Sequence, residues 1–124
     1  MSVLNIETLN GYAICRLCAV VSFQDGVELL AQAIELAVKN KVTKLLLDTR
    51  SLTGFPPPDT FDRYVLGQRC AESSGGVIKV ALLAREELLD PERFGLTVAR
   101  NRGAHVEAFA IEEDAVKWLV NDSG

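Results

Sequence analysis

Short apolar runs alternate with segments of helical periodicity along most of this chain, and this alternation restricts the fold more than any other feature. Residues 44–48 and 77–84 are apolar runs typical of strands buried on both faces of a sheet. Before them, Val27, Leu30 and Ile34 recur at the spacing of an amphipathic helix. Because strands that alternate with helices are joined by right-handed crossovers, the sequence predicts an α/β domain with a largely parallel sheet.

The first part of the chain predicts a different connection. Asn10-Gly11 lies between β-leaning runs at residues 3–8 and 12–20, and this dipeptide is the strongest short signal for a β-hairpin. The complete predicted order is β-β-α-β-α-β-α-β-α, a mixed and largely parallel sheet with an N-terminal hairpin and covering helices. The remaining segments of this order are helices at about residues 25–40, 59–73, 90–102 and 112–120, and a strand at 105–110.

The predicted helices also carry predictions for the core. In the second helix, we expect Phe61, Tyr64 and Val65 to be buried. Asp90 followed by proline is a good start signal for the third helix, in which Phe94 is predicted to face the core.

Composition limits the class of protein. A length of 124 residues with 48% hydrophobic content suits a single domain over residues 1–124. The net charge of -4, without clustered Lys and Arg, argues against nucleic-acid binding. No apolar run approaches the roughly 20 residues that span a bilayer, and the N-terminus does not resemble a secretory signal. We therefore expect no transmembrane segment and a cytoplasmic location.

The residues that most often carry chemistry are sparse. Cys15 and Cys18 have the spacing of a redox or metal motif, but residues three apart on a strand point to opposite faces. With Cys70 they make an odd number of cysteines, which favours reduced thiols. His105 is the sole histidine and has no accompanying motif. We expect no catalytic residues, no metal and no cofactor.

With this element order, the chain resembles the SpoIIAA-like branch of the STAS superfamily, which also borders on SEC14-like lipid-binding folds. The features that carry the resemblance are the opening hairpin, Leu46-Leu47-Asp48 before a loop and helix, residues 94–103, and the stretch at 112–119. They cover nearly the whole chain. The last two segments are most similar to small uncharacterised bacterial proteins of this group.

The chain departs from the regulatory members of that family at one position. In anti-sigma factor antagonists, a serine in an Asp-Ser-Ser-Gly-like motif opens the helix after the central strand and is phosphorylated by a partner kinase. The equivalent stretch here is Phe55-Pro56-Pro57-Pro58-Asp59, so prolines occupy the acceptor positions. Thr60 is the nearest hydroxyl, and Ser51 and Thr53 lie further back.

A candidate binding site follows from sheet geometry. Parallel α/β sheets bind ligands at the carboxyl ends of their strands, and residues 49–58 are predicted to be a long irregular loop there, with three prolines that fix its shape. The predicted site is Asp48, Arg50, Ser51, Thr53, Phe55, Thr60 and Arg85. Arg50 and Arg85 could hold an anion near helix N-termini, or could be paired with Asp48 and Glu86.

These observations lead to two functional hypotheses. The resemblance implies a non-enzymatic protein-interaction or regulatory module of STAS type that lacks the phospho-acceptor serine. The alternative is a SEC14-like carrier of a small apolar or anionic ligand held beneath the proline loop. The partner is thus an unknown protein or small ligand. We also predict a homodimer held through exposed apolar surface near the proline loop, because Phe55 must either fold back on the core or meet a partner.

Overall fold

Five strands and four α-helices alternate along residues 4–121, the part of the chain that the computed structural model describes. The order is the predicted one. The elements are β1 (Ile6–Leu9), β2 (Tyr12–Val20), α1 (Phe23–Lys39), β3 (Lys44–Thr53), α2 (Thr60–Ser74), β4 (Lys79–Leu83), α3 (Phe94–Asn101), β5 (His105–Phe109) and α4 (Glu112–Val120). A 3₁₀ turn at Glu86–Leu88, which the sequence did not predict, precedes α3.

The strands form one mixed sheet in the order β1-β2-β3-β4-β5. The hairpin strand β1 pairs antiparallel with β2, and the other three pairings are parallel. Lys44 lies opposite Lys79, and Asp48 lies opposite Leu83. The prediction that residues 44–48 and 77–84 contain neighbouring parallel strands is therefore confirmed.

The helices cover the two faces of the sheet unequally. The larger core lies on one face and includes α1, α2 and α3, with Ile34, Cys70 and Ala99 among its members. On the other face α4 alone packs Ala115 and Leu119 against β3 and β4. Side chains at the carboxyl ends of the parallel strands therefore lie on one of two separate faces.

The prediction of an irregular loop from residue 49 is wrong, because β3 continues to Thr53. The last residues of β3 pair with the end of the nine-residue strand β2, so that Ser51 lies opposite Cys18 and Thr53 opposite Val20. A register shift between Asp48 and Ser51 adds one residue to β3, which is a β-bulge. Only residues 54–59 connect β3 to α2, a length that is usual for such a connection.

The start of the third helix is also corrected. The carboxylate of Asp90 accepts hydrogen bonds from the N–H groups of Glu92 and Phe94, at 3.0 and 2.8 Å. These bonds stabilise a turn, and Arg93 adopts a left-handed φ of 54° that interrupts helical geometry. The helix α3 therefore begins at Phe94, not at residue 90.

Two aromatic residues that were predicted to be in the core lie on the surface. Phe61 is 70% exposed and Phe94 is 37% exposed. The face of α2 that packs inward carries small residues instead, among them Gly67, Cys70 and Ser74. Close packing of this small-residue face explains why Phe61 lies on the surface.

The cysteine prediction is confirmed in its geometry. Cys15 is fully buried, Cys18 is exposed on the same strand, and both thiols are free, as is that of Cys70. Burial raises the pKa of Cys70 to about 12, which keeps this thiol protonated and unreactive. None of the helices within residues 4–121 has the length and apolar character needed to span a membrane.

Candidate functional site

The predicted site residues do not form one site, because the sheet separates them. Asp48 and Arg50 lie on the face that α4 covers, whereas Phe55 packs with the larger core on the opposite face. Ser51, Thr53 and Thr60 are exposed, and Thr60 is the first residue of α2. Among these hydroxyls, Thr60 is thus the one that lies at a helix N-terminus.

Asp48 is the centre of a four-residue charge cluster. Its side chain is only 9% exposed, and its carboxylate accepts hydrogen bonds from Arg16 at 2.8 Å and from the Arg50 guanidinium at 3.0 Å. It also accepts from the Arg50 N–H at 3.0 Å, within the β-bulge. Glu112, at the start of α4, binds both guanidinium groups at 2.9 to 3.2 Å. Two cations and two anions thus neutralise one another.

This arrangement determines the protonation of its members. Burial by itself would raise the pKa of Asp48, but the hydrogen bonds from Arg50 and Arg16 outweigh burial and lower it. The hydrogen bond from Arg16 likewise lowers the pKa of Glu112. Both carboxylates are therefore ionised at neutral pH, and the cluster joins β2, β3 and α4.

The two arginines that were considered for anion binding are engaged in other contacts. Arg50 is paired with Asp48, as the ion-pair interpretation predicted. Arg85 is paired at 3.3 Å with Glu87, whereas Glu86 was the predicted partner, and its guanidinium also donates to the Leu52 carbonyl at 3.4 Å. These contacts support the ion-pair alternative.

Phe55 folds back onto the domain. Its ring meets that of Phe23 edge-on, with 5.7 Å between the ring centroids, and it packs against the larger core. Because Phe55 is half-buried in this way, the reason for expecting a homodimer at the proline loop no longer applies. The homodimer itself stays a prediction.

A groove of about 520 Å³ lies next to Phe23, between the first turn of α1 and the first half of α2. Its apolar surface comes from Phe23, Val27, Phe61 and Val65, and its polar lining from Ser22, Gln24, Asp25, Glu28, Asp62 and Arg69. The volume lies within the range of roughly 300 to 1,000 Å³ that is common for binding pockets. We call this feature the α1–α2 groove.

Local structure fixes the position of Phe61 in the groove. Asp59 and Asp62 form a capping box, in which the Asp62 N–H donates to Asp59 at 2.8 Å and the Asp59 N–H donates to Asp62 at 3.1 Å. Pro56, Pro57 and Pro58 restrict the chain immediately before it. The first turn of α2 therefore presents an exposed aromatic ring on a rigid backbone.

A second, smaller cavity of about 130 Å³ lies between α2, α3 and the sheet. Its apolar lining includes Leu66, Cys70, Leu82, Leu96 and Val106, with Arg63, Asp90 and Arg93 among its polar residues. Arg63 lies 3.7 Å from Asp90, and Arg93 is paired with Glu107.

The other candidate chemistry is structural. His105 packs edge-on against Trp118, and burial together with Lys79 and Arg100 lowers the pKa of the imidazole. Within residues 4–121, no group of three or more His, Cys, Asp or Glu side chains could hold a metal ion.

Sequence reasoning missed Arg16, Glu112 and the exposure of Phe61. Arg16 and Glu112 are 96 positions apart, so no local pattern relates them. A usable signal existed for Phe61, because Gly67, Cys70 and Ser74 recur at helical spacing and define an inward face of small residues that excludes Phe61.

No model of a known protein family matches this sequence, and no curated protein is significantly similar to it. A solved structure is similar: that of an uncharacterized protein of the DUF3478 family with a SpoIIAA-like fold, from Shewanella loihica PV-4. The likeness covers 94% of this chain and 91% of that protein, with a TM-score of 0.50 and 20% sequence identity. At this level of identity a structural likeness establishes the fold alone. The predicted fold is therefore confirmed, and the chain is an α/β domain with the SpoIIAA-like fold.

Proposed function

We propose that this domain is a non-enzymatic protein-interaction module of STAS type, without a phospho-acceptor serine, and that it binds a partner protein at the α1–α2 groove. The observation that carries the proposal is the 70% exposure of Phe61 on a rigid helix start. Complete burial of a phenylalanine side chain is worth roughly 1.5 to 3 kcal/mol, and this residue forgoes most of that gain in the free domain. A partner that covers Phe61 would recover it.

The surroundings of Phe61 support the same role. Aromatic residues in pockets are frequent hot spots of protein interfaces, and little entropy is lost when the backbone is already fixed. The Asp59–Asp62 capping box and the prolines before it provide that rigidity. The groove beside Phe61 offers an apolar floor into which a partner side chain can insert.

Contacts elsewhere support a binding role over a catalytic one. The carboxylate of Asp48 is bonded to Arg16 and Arg50, and the imidazole of His105 packs on Trp118. These are structural contacts of titratable groups. Of the cysteines within residues 4–121, Cys15 and Cys70 are buried and only Cys18 is exposed.

Replacing Phe61 tests the proposal without damaging the fold. Because the side chain is mostly in solvent, Phe61→Ala is expected to change the melting temperature by less than about 2 °C. Loss of a central aromatic contact is expected to weaken partner binding by at least about tenfold. The partner would first be trapped by a photoreactive phenylalanine at position 61, identified by mass spectrometry, purified and titrated calorimetrically.

Val77 is the control position for the crosslinking experiment. It is 63% exposed but precedes β4, at the opposite end of the sheet from the groove. A photoreactive group at Val77 should not trap the protein that is trapped from position 61. Equal trapping from both positions, or equal affinity of wild type and Phe61→Ala, would contradict the proposal.

A second candidate function is favoured by the cavity between α2, α3 and the sheet. An apolar cavity of about 150 Å³ in another protein binds benzene, and the cavity here has about 130 Å³. A carrier with this cavity would hold one small ring or short alkyl group, not a lipid chain. Arg63 and Arg93 line this cavity, but a carboxylate on such a ligand would have to compete with Asp90 and Glu107 for them.

Benzoate provides the test of this second function. If the cavity is a ligand site, millimolar benzoate should shift the amide resonances of Cys70, Leu96 and Val106 in NMR spectra. Ala99 lines the cavity and is fully buried, so Ala99→Val should reduce the affinity by partly filling the space. Shifts that are confined to surface residues, or an affinity that Ala99→Val leaves unchanged, would argue against a carrier.

A further inference from the structure

The α1–α2 groove combines an apolar floor with a surplus of negative charge. Asp25, Glu28 and Asp62 are three carboxylates in its lining, against the single guanidinium of Arg69. That guanidinium is already shared among carboxylates, since it lies 3.0 Å from Glu28, 3.8 Å from Glu35 and 3.7 Å from Glu72. Arg69 therefore does not neutralise the remaining acids of the groove.

Two of the groove carboxylates are not held by ion pairs within residues 4–121. Among the described residues, the Asp62 carboxylate accepts only the N–H of Asp59, in the capping box. Asp25 is exposed, and within the described chain its carboxylate has no cationic partner. A partner with Lys or Arg beside its apolar anchor would add ion pairs that the free domain does not make.

The walls of the groove indicate the shape of the occupant. Both walls are helices, α1 and α2, so the groove has no open strand edge to which an extended peptide could pair. A helix can place one apolar stripe along Phe23, Phe61 and Val65 and can direct flanking side chains to both rims. Helix-in-groove binding is the mode that fits these walls.

We infer that the segment recognised by the α1–α2 groove is a basic amphipathic helix of a partner protein, with an apolar stripe over Phe61 and Lys or Arg beside Asp25 and Asp62. This inference rests on the proposed function, because it specifies the partner of the same groove. Charge complementarity and the apolar floor together select this class of partner.

Three synthetic helices of 18 residues test the inference with the full chain. Each has leucine on one face and, on the other face, only lysine, only glutamine or only glutamate. Affinity is measured by fluorescence anisotropy of the labelled peptide, and the binding site is located by amide shifts in NMR spectra. We expect the lysine peptide to bind at least about tenfold more tightly than the glutamine peptide, and the glutamate peptide not to bind.

A matched pair of charge variants separates the groove from the general acidity of the domain. Asp25 and Asp114 are both exposed and occupy the same position in the first turn of their helices, α1 and α4. Asp25→Asn and Asp114→Asn therefore remove one equivalent charge from the groove and from the opposite face. We expect Asp25→Asn to weaken the lysine peptide about threefold and to reduce its salt dependence, and Asp114→Asn to leave both unchanged.

The possible outcomes separate the inference from the proposed function. If the lysine and glutamine peptides bind the groove equally and both depend on Phe61, the partner class is wrong but the groove is still a binding site. If both variants weaken the lysine peptide equally, its binding is unspecific and the inference fails. If the peptide shifts amides away from α1 and α2, and photocrosslinking from position 61 traps no protein, the proposed function fails as well.

Discussion

A Gly67→Ala variant is expected to lose about 3 kcal/mol of unfolding free energy, and its melting temperature should fall by about 10 to 15 °C. Gly67 lies in the middle of α2, where this helix crosses α3. A Cβ atom at this position would overlap the carbonyl oxygen of Gly95 and would lie 2.9 Å from the Cβ of Val98. Because the main obstacle is backbone, no side-chain rotation relieves it, and α3 must move away from α2.

The helix propensity of alanine makes this expectation specific. Alanine is better than glycine in a helix interior by about 1 kcal/mol, so a substitution that met no obstacle would stabilise the domain. Gly26 in α1 is such a position, since an added Cβ would meet Val21 at 3.5 Å and Leu52 at 4.0 Å, both ordinary contacts. Gly26→Ala is therefore expected to be neutral or stabilising by up to about 1 kcal/mol.

Urea unfolding of the two variants, followed by the fluorescence of the single tryptophan, Trp118, measures the difference. The two substitutions are chemically identical, so propensity and unfolded-state effects largely cancel in the comparison. If Gly67→Ala were as stable as Gly26→Ala, α2 and α3 would not cross as closely as the structure shows. The expected loss of stability depends on the close crossing of α2 and α3. The same crossing forms one wall of the cavity of about 130 Å³.

The sequence predicted the elements of this fold because each is determined by nearby residues. The Asn10-Gly11 turn, the apolar run before Asp48 and the helical spacing of Val27, Leu30 and Ile34 are local signals. All of them correspond to elements of the structure. They were sufficient for the order of strands and helices and for the parallel pairing of β3 with β4.

The predicted element bounds were wrong where tertiary contacts override the local preference of the sequence. Residues 49–53 continue β3 because the long strand β2 provides a partner for them. The paired residues are far apart in the sequence: Ser51 pairs with Cys18, 33 positions earlier. The loop prediction relied on Gly54 and the prolines, which in fact act only after Thr53. The start of α3 was misplaced because Asp90 stabilises a turn with the same side-chain bonds that would have capped a helix.

The candidate site was predictable only in part. Of the predicted site residues, Asp48 and Arg50 bind each other, and whether they bind a ligand stays a prediction. Sheet geometry could not assign Phe55 to a face, because Phe55 lies in the connection after Thr53, where the alternation of strand side chains no longer applies. The α1–α2 groove depends on the tertiary contact of two helices, and the exposure of Phe61 depends on which face of α2 packs inward.

Asp48→Asn is expected to cost about 2 to 3 kcal/mol of unfolding free energy at pH 7. The carboxylate is buried, and it accepts from Arg16, from the Arg50 side chain and from the N–H of Arg50 in the bulge. An asparagine retains the size, but its amide nitrogen would face guanidinium donors. Glu112→Gln is the matched variant, and because Glu112 is more exposed we expect a loss below about 1 kcal/mol.

The loss caused by Asp48→Asn should depend on pH in one direction. The pKa of Asp48 is lower in the folded protein than its ordinary value of about 3.9, so the carboxylate contributes its full stabilisation above about pH 5. As the pH falls through the folded pKa, Asp48 becomes protonated and that contribution is lost in the wild type, whereas asparagine does not titrate. The free-energy difference between wild type and variant should therefore shrink between pH 5 and about pH 3. The pKa values of Glu107 and Asp90 are also lowered, but these groups lie outside the cluster, titrate in both proteins and largely cancel. Urea unfolding at each pH measures the difference, and a difference that stayed constant down to pH 3 would show that the role of Asp48 is one of shape and not of charge.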